Sequence, residues 1–321
     1  MGKSGSVGVD VGGTKTLFAL FDEQFEVLEE IKLKTEGTKQ EVFTKTLKES
    51  VASLLKKASK HRVTVSAIGV GCAGSIDTQK GVVNSAPNIP ALDGFSFNQT
   101  LAKITDARVR VSNDVHAALY GEHKLGAAVG YKHVIGVFLG TGIGGAIIIH
   151  GKLYLGATGR AGDIGHYLLQ PLGPLAGSDR GGVLDSIASR AAIAAEAAAL
   201  ATKQKAPHLL KSVGTDIKNI KSSSLADAIQ NGDKDVEELV RNRAQMLGII
   251  LSNLVDFLNP EMIVLGGGLV DAMPDIIRQE VTAGIKSHTT MEAQQGLQIV
   301  TTKLKSHAVT TGAAKLAVDS L

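Results

Sequence analysis

One pattern occurs twice in this chain and constrains its fold more than any other feature: an apolar strand, a turn of glycine and threonine, and a second apolar strand. The turns lie at residues 11–15 and 140–142. The flanking strands are predicted at residues 6–10, 16–22, 135–139 and 146–150. A single hairpin of this kind is common, and two could coincide by chance. Their positions at the start of each half-chain favour a duplicated α/β fold with both turns facing one cleft.

The rest of the chain alternates between strands and helices, which is the signature of an α/β protein. Further strands are predicted at residues 26–33, 65–70, 108–112 and 262–265. Helices are predicted at residues 41–59, 115–125, 186–204, 222–231, 235–258, 273–283 and 310–321. No linker rich in serine, proline and glycine separates two independent domains.

Composition excludes several classes of protein. The 321 residues carry 34 Lys and Arg against 31 Asp and Glu, and the net charge of +3 is too small for a nucleic-acid-binding protein. The single cysteine, Cys72, excludes an intramolecular disulfide and a zinc site built from several cysteines. The sequence shows no signal-peptide segment and no apolar run of about 18 residues, so we expect a cytoplasmic protein with no membrane span.

Two glycine-rich stretches match known phosphate loops only by letter. In residues 8–16, Thr14 separates Gly13 from Lys15, and a strand follows where a P-loop requires a helix. Residues 69–74 match a dinucleotide-binding fingerprint but do not open a helix either. A hairpin turn can nevertheless bind phosphate, because successive glycine and threonine N–H groups form an anion-binding nest.

Two carboxylates lie at predicted strand ends, where open α/β sheets place their chemistry. Asp10 precedes the first turn and indicates Mg²⁺ held largely through water, because a carboxylate beside phosphate needs a cation between them. A turn-capping role is the alternative for Asp10. Asp114 follows Asn113 and could accept the proton of a hydroxyl that attacks a γ-phosphoryl group; the alternative is that this Asn-Asp pair caps helix 115–125, since both residue types favour that position.

A glycine-rich loop at residues 156–166 carries Arg160, Asp163 and His166. Carboxylate and imidazole groups form hydrogen bonds with vicinal hydroxyls, so this loop is typical of hydroxyl recognition. A purely structural role for the histidine is the alternative.

Together these stretches resemble the ROK family of kinases and regulators, within the actin-like and hexokinase ATPase superfamily. The segments that carry the resemblance are DVGGTK at 10–15, GVGCAG at 69–74, APNIP at 86–90, SND at 112–114, GTGIGG at 140–145, residues 156–166, and LNPEMIVLGGG at 258–268. The resemblance implies a two-lobed, ribonuclease H-like α/β fold with mixed sheets flanked by helices. Residues 1–115 and the C-terminal helix 306–321 would form the smaller lobe, and residues 116–305 the larger one.

The same resemblance implies an ATP-dependent sugar kinase. It also implies a role for each residue of this chain that matches a functional residue of the family. Asp114 would be the general base, and Asp10 would hold Mg²⁺ beside the nucleotide. The sugar hydroxyls would contact Asn88, Asn113, Asp163, His166 and Asp185. The phosphates would contact Gly12, Gly13, Thr14, Lys15, Thr141 and Gly142, and adenosine would lie against Gly266, Gly267 and Gly268.

The chain departs from the family pattern in two places. The positions of three zinc-binding cysteines are occupied by Ala176, Ser178 and Val183. Since His166 alone cannot complete a structural zinc site, we expect no zinc. Asp163 and Asp185 stand where the family's kinases carry glutamate. Each side chain is one methylene shorter, which pulls its carboxylate back by about 1–1.5 Å. Hydrogen bonds fail over such a distance, so this change argues against ordinary glucokinase specificity.

The sequence therefore predicts a cytoplasmic, homodimeric kinase that phosphorylates a hexose or an N-acetylhexosamine at the 6-hydroxyl. A sugar-responsive repressor of the same family is the first alternative, although only five residues precede the first predicted strand, too few for a helix-turn-helix. A non-catalytic sugar-binding homologue is the second alternative, because of the two shortened carboxylates. Both turns, Asp10 and Asp114 are present and favour the kinase.

Overall fold

A computed structural model of the chain describes residues 3–170 and 181–321. Its strands are β1 (Lys3–Val11), β2 (Lys15–Phe21), β3 (Val27–Lys34), β4 (Val63–Cys72), β5 (Ser75–Asp77), β6 (Val82–Ser85), β7 (Arg108–Asn113), β8 (Val134–Leu139), β9 (Ile143–Ile149), β10 (Lys152–Tyr154), β11 (Met262–Gly266) and β12 (Gln298–Thr301). Its α-helices are α1 (Gln40–Lys60), α2 (Phe97–Leu101), α3 (Asp114–Leu125), α4 (Asp185–Ala188), α5 (Arg190–Thr202), α6 (Pro207–Val213), α7 (Ser222–Gln230), α8 (Lys234–Leu258), α9 (Gly268–Ala272), α10 (Pro274–His288), α11 (Met291–Gln294) and α12 (Ala308–Asp319). Within these described ranges, no helix combines the length and the hydrophobicity needed to span a membrane.

Contacts between residues divide the chain into two compact units. The first unit consists of Met1–Gly130, Leu153–Ala161 and Ser306–Leu321. The second unit consists of Tyr131–Lys152 and Gly162–Lys305. The C-terminal helix α12 therefore packs with the N-terminal part of the chain, against β1, β4 and α3.

The first unit is built on a five-stranded mixed sheet with the order β3-β2-β1-β4-β7. Strand β1 pairs antiparallel with β2 and parallel with β4, and β4 pairs parallel with β7. Val11, Cys72 and Asn113 occupy one row across the three parallel strands. The turn after β1 and the ends of β4 and β7 therefore lie at the same edge of the sheet.

Helices cover both faces of this sheet. On β1, Val7 joins the apolar core formed with α1, whereas the next residue, Gly8, faces α12. A Cβ at Gly8 would lie 2.0 Å from the Thr310 carbonyl oxygen, and one at Gly69 of β4 would lie 1.8 Å from the Ala313 carbonyl oxygen. Helix α12 can approach the sheet this closely only because both positions are glycine.

The second unit carries a sheet with the order β10-β9-β8-β11-β12. Strand β8 pairs antiparallel with β9 and parallel with β11, which pairs parallel with β12. This order repeats that of the first sheet, with β8 in the place of β1 and β9 in the place of β2. The predicted duplication of an α/β fold with mixed sheets flanked by helices is confirmed.

Two predicted helices have different bounds in the structure. The prediction of one helix over residues 186–204 is wrong, because Ser189 has an extended backbone and separates α4 from α5. The Ser189 hydroxyl accepts the N–H of Ala192 (3.2 Å) and so caps α5. The helix predicted over residues 273–283 is α10, which begins at Pro274, a residue suited to the first helical turn.

Candidate functional site

The turn between β1 and β2 exposes main-chain N–H groups. Gly12 donates its N–H to the Lys15 carbonyl oxygen (3.1 Å) and closes the turn. The Gly12 carbonyl oxygen accepts the Thr35 hydroxyl (2.7 Å), and the Thr14 carbonyl oxygen accepts the Thr35 N–H (3.1 Å). Because the C=O and N–H of a trans peptide point in opposite directions, the Gly13 N–H points away from Thr35. Gly13 and Thr14 are exposed, and no hydrogen bond within the described parts of the chain uses either N–H.

The turn between β8 and β9 is organised in a similar way. Gly140 donates its N–H to the Gly142 carbonyl oxygen (2.8 Å). The carbonyl oxygens of Gly140 and Thr141 accept the N–H groups of Arg190 (3.2 Å) and Ala191 (3.4 Å) at the start of α5. The N–H groups of Thr141 and Gly142 therefore point away from α5, and neither has an acceptor among the described residues. Each turn offers two successive N–H groups to a ligand, an arrangement that binds phosphate oxygens.

Asp10 lies next to the first turn, in register with Gly71 of β4. Burial raises the pKa of the Asp10 carboxyl to about 7; the negative charge of Asp114 adds to this rise, and the positive charge of Lys15 opposes it. Mg²⁺ binds one or two carboxylates together with phosphates and water, so the Asp10 carboxylate beside the exposed N–H groups of the turn can supply one of its ligands. The residues present therefore fit the predicted magnesium ion.

Asn113 and Asp114 have different positions at the end of β7. The Asn113 side-chain oxygen accepts the N–H groups of Val115 (2.9 Å) and His116 (3.1 Å), so Asn113 is the N-cap of α3. Asp114 is the first residue of that helix and is half-buried. The capping role that was open for this pair belongs to Asn113.

Asn88 lies beside the first turn. Its loop is fixed by the buried Ile89 and by the Ala86 N–H, which donates to the Asp93 carboxylate (2.7 Å). A Cβ at Gly13 would lie 3.0 Å from the Asn88 Cβ, so glycine at that position lets the loop approach the turn. The exposed Asn88 side chain is therefore held next to the exposed N–H groups.

Asp163 and His166 flank a short 3-10 turn, Ile164–His166. The Nε2 atom of His166 lies 3.8 Å from Oδ2 of Asp163, within range of electrostatic attraction but too far for a hydrogen bond. The Nδ1 atom of His166 is buried, and no described residue forms a hydrogen bond with it. Since the His166 side chain is partly exposed, a ligand hydroxyl would meet the accessible part of the ring and not this buried nitrogen.

Asp185 begins α4 and supports the second turn. Its carboxylate accepts the N–H of Ile143, the residue directly after the turn. A Cβ at Gly142 would lie 2.7 Å from Oδ2 of Asp185, so this glycine makes room for the carboxylate. Burial raises the pKa of the Asp185 carboxyl; the Ile143 N–H and His166 oppose this rise, and the charge of Asp163 adds to it. Asp163, His166 and Asp185 therefore lie close to one another beside the second turn.

The glycines after β11 are required by packing inside the second unit. A Cβ at Gly266 would lie 2.6 Å from the nearest side-chain carbon, and one at Gly267, whose φ is 89°, would lie 2.6 Å from the Leu139 carbonyl oxygen. Gly268 differs, because the atom nearest to a Cβ there is the Ser222 hydroxyl oxygen at 3.6 Å. The contact of these glycines with adenosine stays a prediction, for which Gly268 leaves the most room.

The zinc prediction falls partly outside the described residues. Ala176 and Ser178 belong to the segment that the structure does not describe, whereas Val183 is a buried core residue. Among residues 3–170 and 181–321, no three His, Cys, Asp or Glu side chains are grouped so that they could hold a metal ion. The absence of zinc stays a prediction.

Two residues that organise the turns were not predicted from the sequence. Thr35 holds the first turn through Gly12, which lies 23 positions earlier in the chain. Arg190 donates to the Thr141 hydroxyl oxygen of the second turn (3.0 Å), across 49 positions. Both contacts depend on tertiary structure, and the only signal in the sequence is the polar character of the two side chains.

Known proteins resemble this chain over most of its length. A sequence profile of the ROK family matches residues 6–320. The glucokinase of Thermotoga maritima is 30% identical over 266 residues, covering 82% of this chain and 81% of that protein. An N-acetylgalactosamine kinase of Shewanella sp. strain ANA-3 is 28% identical over 312 residues, covering 95% of this chain and 93% of that protein. The crystal structure of a ROK family glucokinase from Streptomyces griseus, in complex with glucose and AMPPNP, has a TM-score of 0.85 at 30% identity, covering 98% of this chain and 99% of that one.

Proposed function

Because this chain belongs to the ROK family, we propose that it transfers the γ-phosphoryl group of ATP to the 6-hydroxyl of a hexose or an N-acetylhexosamine. The relatives named above are sugar kinases, and the similar glucokinase structure contains glucose and AMPPNP. Each turn leaves two successive N–H groups without an acceptor in the described chain, and this repeated feature carries the proposal.

The turns would bind the phosphates of ATP. We assign the phosphate contacts to Gly12, Gly13, Thr14, Lys15, Thr141 and Gly142, and the adenosine contacts to Gly266, Gly267 and Gly268. Fixed main-chain N–H groups stabilise the negative charge that develops on phosphoryl oxygens in the transition state. Asp10 would hold Mg²⁺, mostly through water, and the bound ion would supply positive charge next to the phosphates.

Asp114 would be the general base. It takes the proton of the sugar hydroxyl while the hydroxyl oxygen forms a bond to the γ-phosphorus, and the bond between that phosphorus and the bridging oxygen breaks to leave ADP. The transition state of phosphoryl transfer is loose, so a well-placed carboxylate is sufficient. The position of Asp114 at the start of α3, close enough to Asp10 for their charges to interact, supports this role.

The other sugar hydroxyls would contact Asn88, Asn113, Asp163, His166 and Asp185. The partly exposed side chains of His166 and Asp163, whose Nε2 and Oδ2 atoms lie 3.8 Å apart, support this assignment, because both groups form hydrogen bonds with hydroxyls. The shorter reach of Asp163 and Asp185 favours a bulkier sugar, such as an N-acetylhexosamine, or water between carboxylate and hydroxyl.

We also propose that the protein is a cytoplasmic homodimer without nucleic-acid or membrane partners. The net charge of +3 supports the first exclusion. Light scattering after size-exclusion chromatography would test the dimer.

A coupled assay of ADP release, run with ATP, Mg²⁺ and a panel of hexoses and N-acetylhexosamines, tests the proposed reaction. Asp114→Asn is expected to lower kcat by at least about 10²-fold, the scale of general-base catalysis, with nucleotide affinity retained. Asp106→Asn, which neutralises an exposed carboxylate in the same unit, is the matched control and should keep full turnover.

The possible outcomes separate the alternatives. Full turnover by Asp114→Asn would show that another group accepts the proton. Sugar binding in calorimetry without phosphorylation of any sugar would favour the non-catalytic homologue, and sequence-specific DNA binding would favour the regulator. The position of phosphate on the product, read by NMR, decides whether the 6-hydroxyl reacts.

A further inference from the structure

Arg190 lies at the start of α5, next to the second turn. Its guanidinium donates to the Thr141 hydroxyl oxygen (3.0 Å) and to the Ile220 carbonyl oxygen (3.2 Å). A guanidinium has five N–H groups in a planar fork, so these two contacts fix its position and leave the remaining donors for another acceptor. The Thr141 hydroxyl accepts from Arg190 and can direct its own hydrogen to a ligand.

The charge of Arg190 has no carboxylate partner in the described parts of the chain. Other half-buried arginines of the same unit are paired: Arg241 contacts Glu280 at 2.7 Å, and Arg243 contacts Glu196 at 2.6 Å. Burial lowers the pKa of Arg190, and no acidic side chain among the described residues opposes this effect. Partly buried charges in proteins are normally paired, so Arg190 lacks a counter-ion among residues 3–170 and 181–321.

On the basis of the kinase function proposed above, we propose that Arg190 binds the phosphates of the nucleotide directly. The guanidinium lies within hydrogen-bonding distance of Thr141, whose N–H is one of the two that point away from α5. A phosphate oxygen held by those N–H groups would therefore be within reach of the free face of the fork. Arginine suits this role because its planar donors match phosphate geometry.

The second contact of Arg190 indicates which phosphates it would meet. Ile220 lies two residues before Ser222, whose hydroxyl oxygen is the atom nearest to a Cβ built at Gly268. Gly268 is the position with the most room for adenosine. Arg190 therefore connects the phosphate turn with the segment assigned to the nucleoside, which favours the α- and β-phosphates over the γ-phosphate.

Nucleotide binding to the full-length protein tests this role independently of turnover. Affinities of ATP and ADP are measured by calorimetry, and that of adenosine by ligand-observed NMR, for the wild type, Arg190→Gln and Arg190→Lys. Arg190→Gln should weaken the binding of ATP and ADP by about 10- to 100-fold, the scale of a lost charge-assisted hydrogen bond, and leave the affinity for adenosine unchanged. The nucleotide affinity of Arg190→Lys should lie between those of the wild type and Arg190→Gln, because lysine keeps the positive charge but lacks the planar set of donors. Arg278→Gln removes an exposed arginine of α10 and should bind all three ligands like the wild type.

Thr141→Val distinguishes direct binding from mere positioning. If Arg190 acted only by holding the Thr141 hydroxyl, Arg190→Gln, Thr141→Val and the double variant would lose the same affinity. Direct binding predicts a larger loss for Arg190→Gln than for Thr141→Val, and a further loss in the double variant. Unchanged affinity for ATP and ADP, or an equal loss for adenosine, would overturn the proposal.

The same measurements separate this proposal from the kinase function. A wild type that binds ATP and ADP but phosphorylates no sugar would contradict the kinase function, while the loss in Arg190→Gln would still support the phosphate contact. A wild type that binds no nucleotide would contradict both. Thermal unfolding of each variant shows whether a loss of affinity comes from misfolding.

Discussion

Without nucleotide, the Asp10→Asn variant should be more stable than the wild type, and this difference should grow as the pH rises. In the folded protein the pKa of the Asp10 carboxyl is about 7, against an ordinary value of 3.8, mainly because of burial and then because of the charge of Asp114. A group whose pKa is raised by folding contributes its stability at low pH and loses it as the pH rises through the folded pKa. Asparagine cannot ionise, so the variant does not suffer this loss.

The magnitude follows from the two pKa values. The interval between 3.8 and about 7 corresponds to about 4 kcal/mol of unfolding free energy, lost by the wild type between about pH 4 and about pH 7. Asp10 keeps part of its surface in contact with solvent, which weakens the penalty for its charge. We therefore expect Asp10→Asn to gain about 2 kcal/mol over the wild type across this range.

Urea unfolding followed by circular dichroism, without Mg²⁺ or nucleotide, measures this difference at about pH 4 and about pH 8. Hydrogen exchange of β1 and β4 peptides assigns the change to the first unit. Asp114→Asn should remove a smaller part of the pH dependence, because burial is the larger cause. Asp106→Asn should leave it as in the wild type. Parallel pH profiles for the wild type and Asp10→Asn would refute the reasoning.

Two further substitutions test the supports of the site. Gly69→Ala would bring a Cβ to 1.8 Å from the Ala313 carbonyl oxygen. It should lower the free energy of unfolding by about 3 kcal/mol, seen as a clear drop in melting temperature. Gly37→Ala, where the nearest atom would lie at 3.7 Å, is its control, and an equal effect of both would contradict the packing argument. Thr35→Val removes a buried hydroxyl that bonds the Gly12 carbonyl oxygen (2.7 Å) and the Thr16 hydroxyl (2.9 Å), and should weaken ATP binding by about fivefold and lower the free energy of unfolding by about 1–3 kcal/mol. Unchanged ATP affinity in calorimetry would show that the first turn does not depend on this bond.

The sheet edge that carries the candidate site could be predicted because its signals are local. Each turn and its two strands lie within a few consecutive residues, and alternation of apolar residues indicates the strands directly. The positions of the strand ends therefore follow from a pattern read along the chain. The parallel pairing, which places Asp10 in register with Gly71, and Gly71 with Ser112, was not predicted and comes from the structure.

The parts that were missed depend on contacts between distant residues or on weak local signals. An alanine-rich run predicts one continuous helix, so the break at Ser189 became visible only through its capping hydrogen bond. Strand β12 is short and lies at the edge of its sheet, where few neighbours reinforce the pattern. The roles of Thr35 and Arg190 required the fold, because each meets its turn from a separate element.

The shortened carboxylate of Asp185 has a different consequence from the one that chain length alone suggests. From the sequence alone, aspartate at this position differs from glutamate only by its shorter reach. In the structure the carboxylate is used by the chain itself: it accepts the Ile143 N–H and packs against Gly142 and Gly165. A carboxylate can accept several hydrogen bonds, so a sugar hydroxyl can still bind Asp185, but it must share this group with the turn assigned to the phosphates. The Asp185 carboxylate thus links the second turn, which we propose to bind phosphate, to the group of side chains that we propose to bind the sugar.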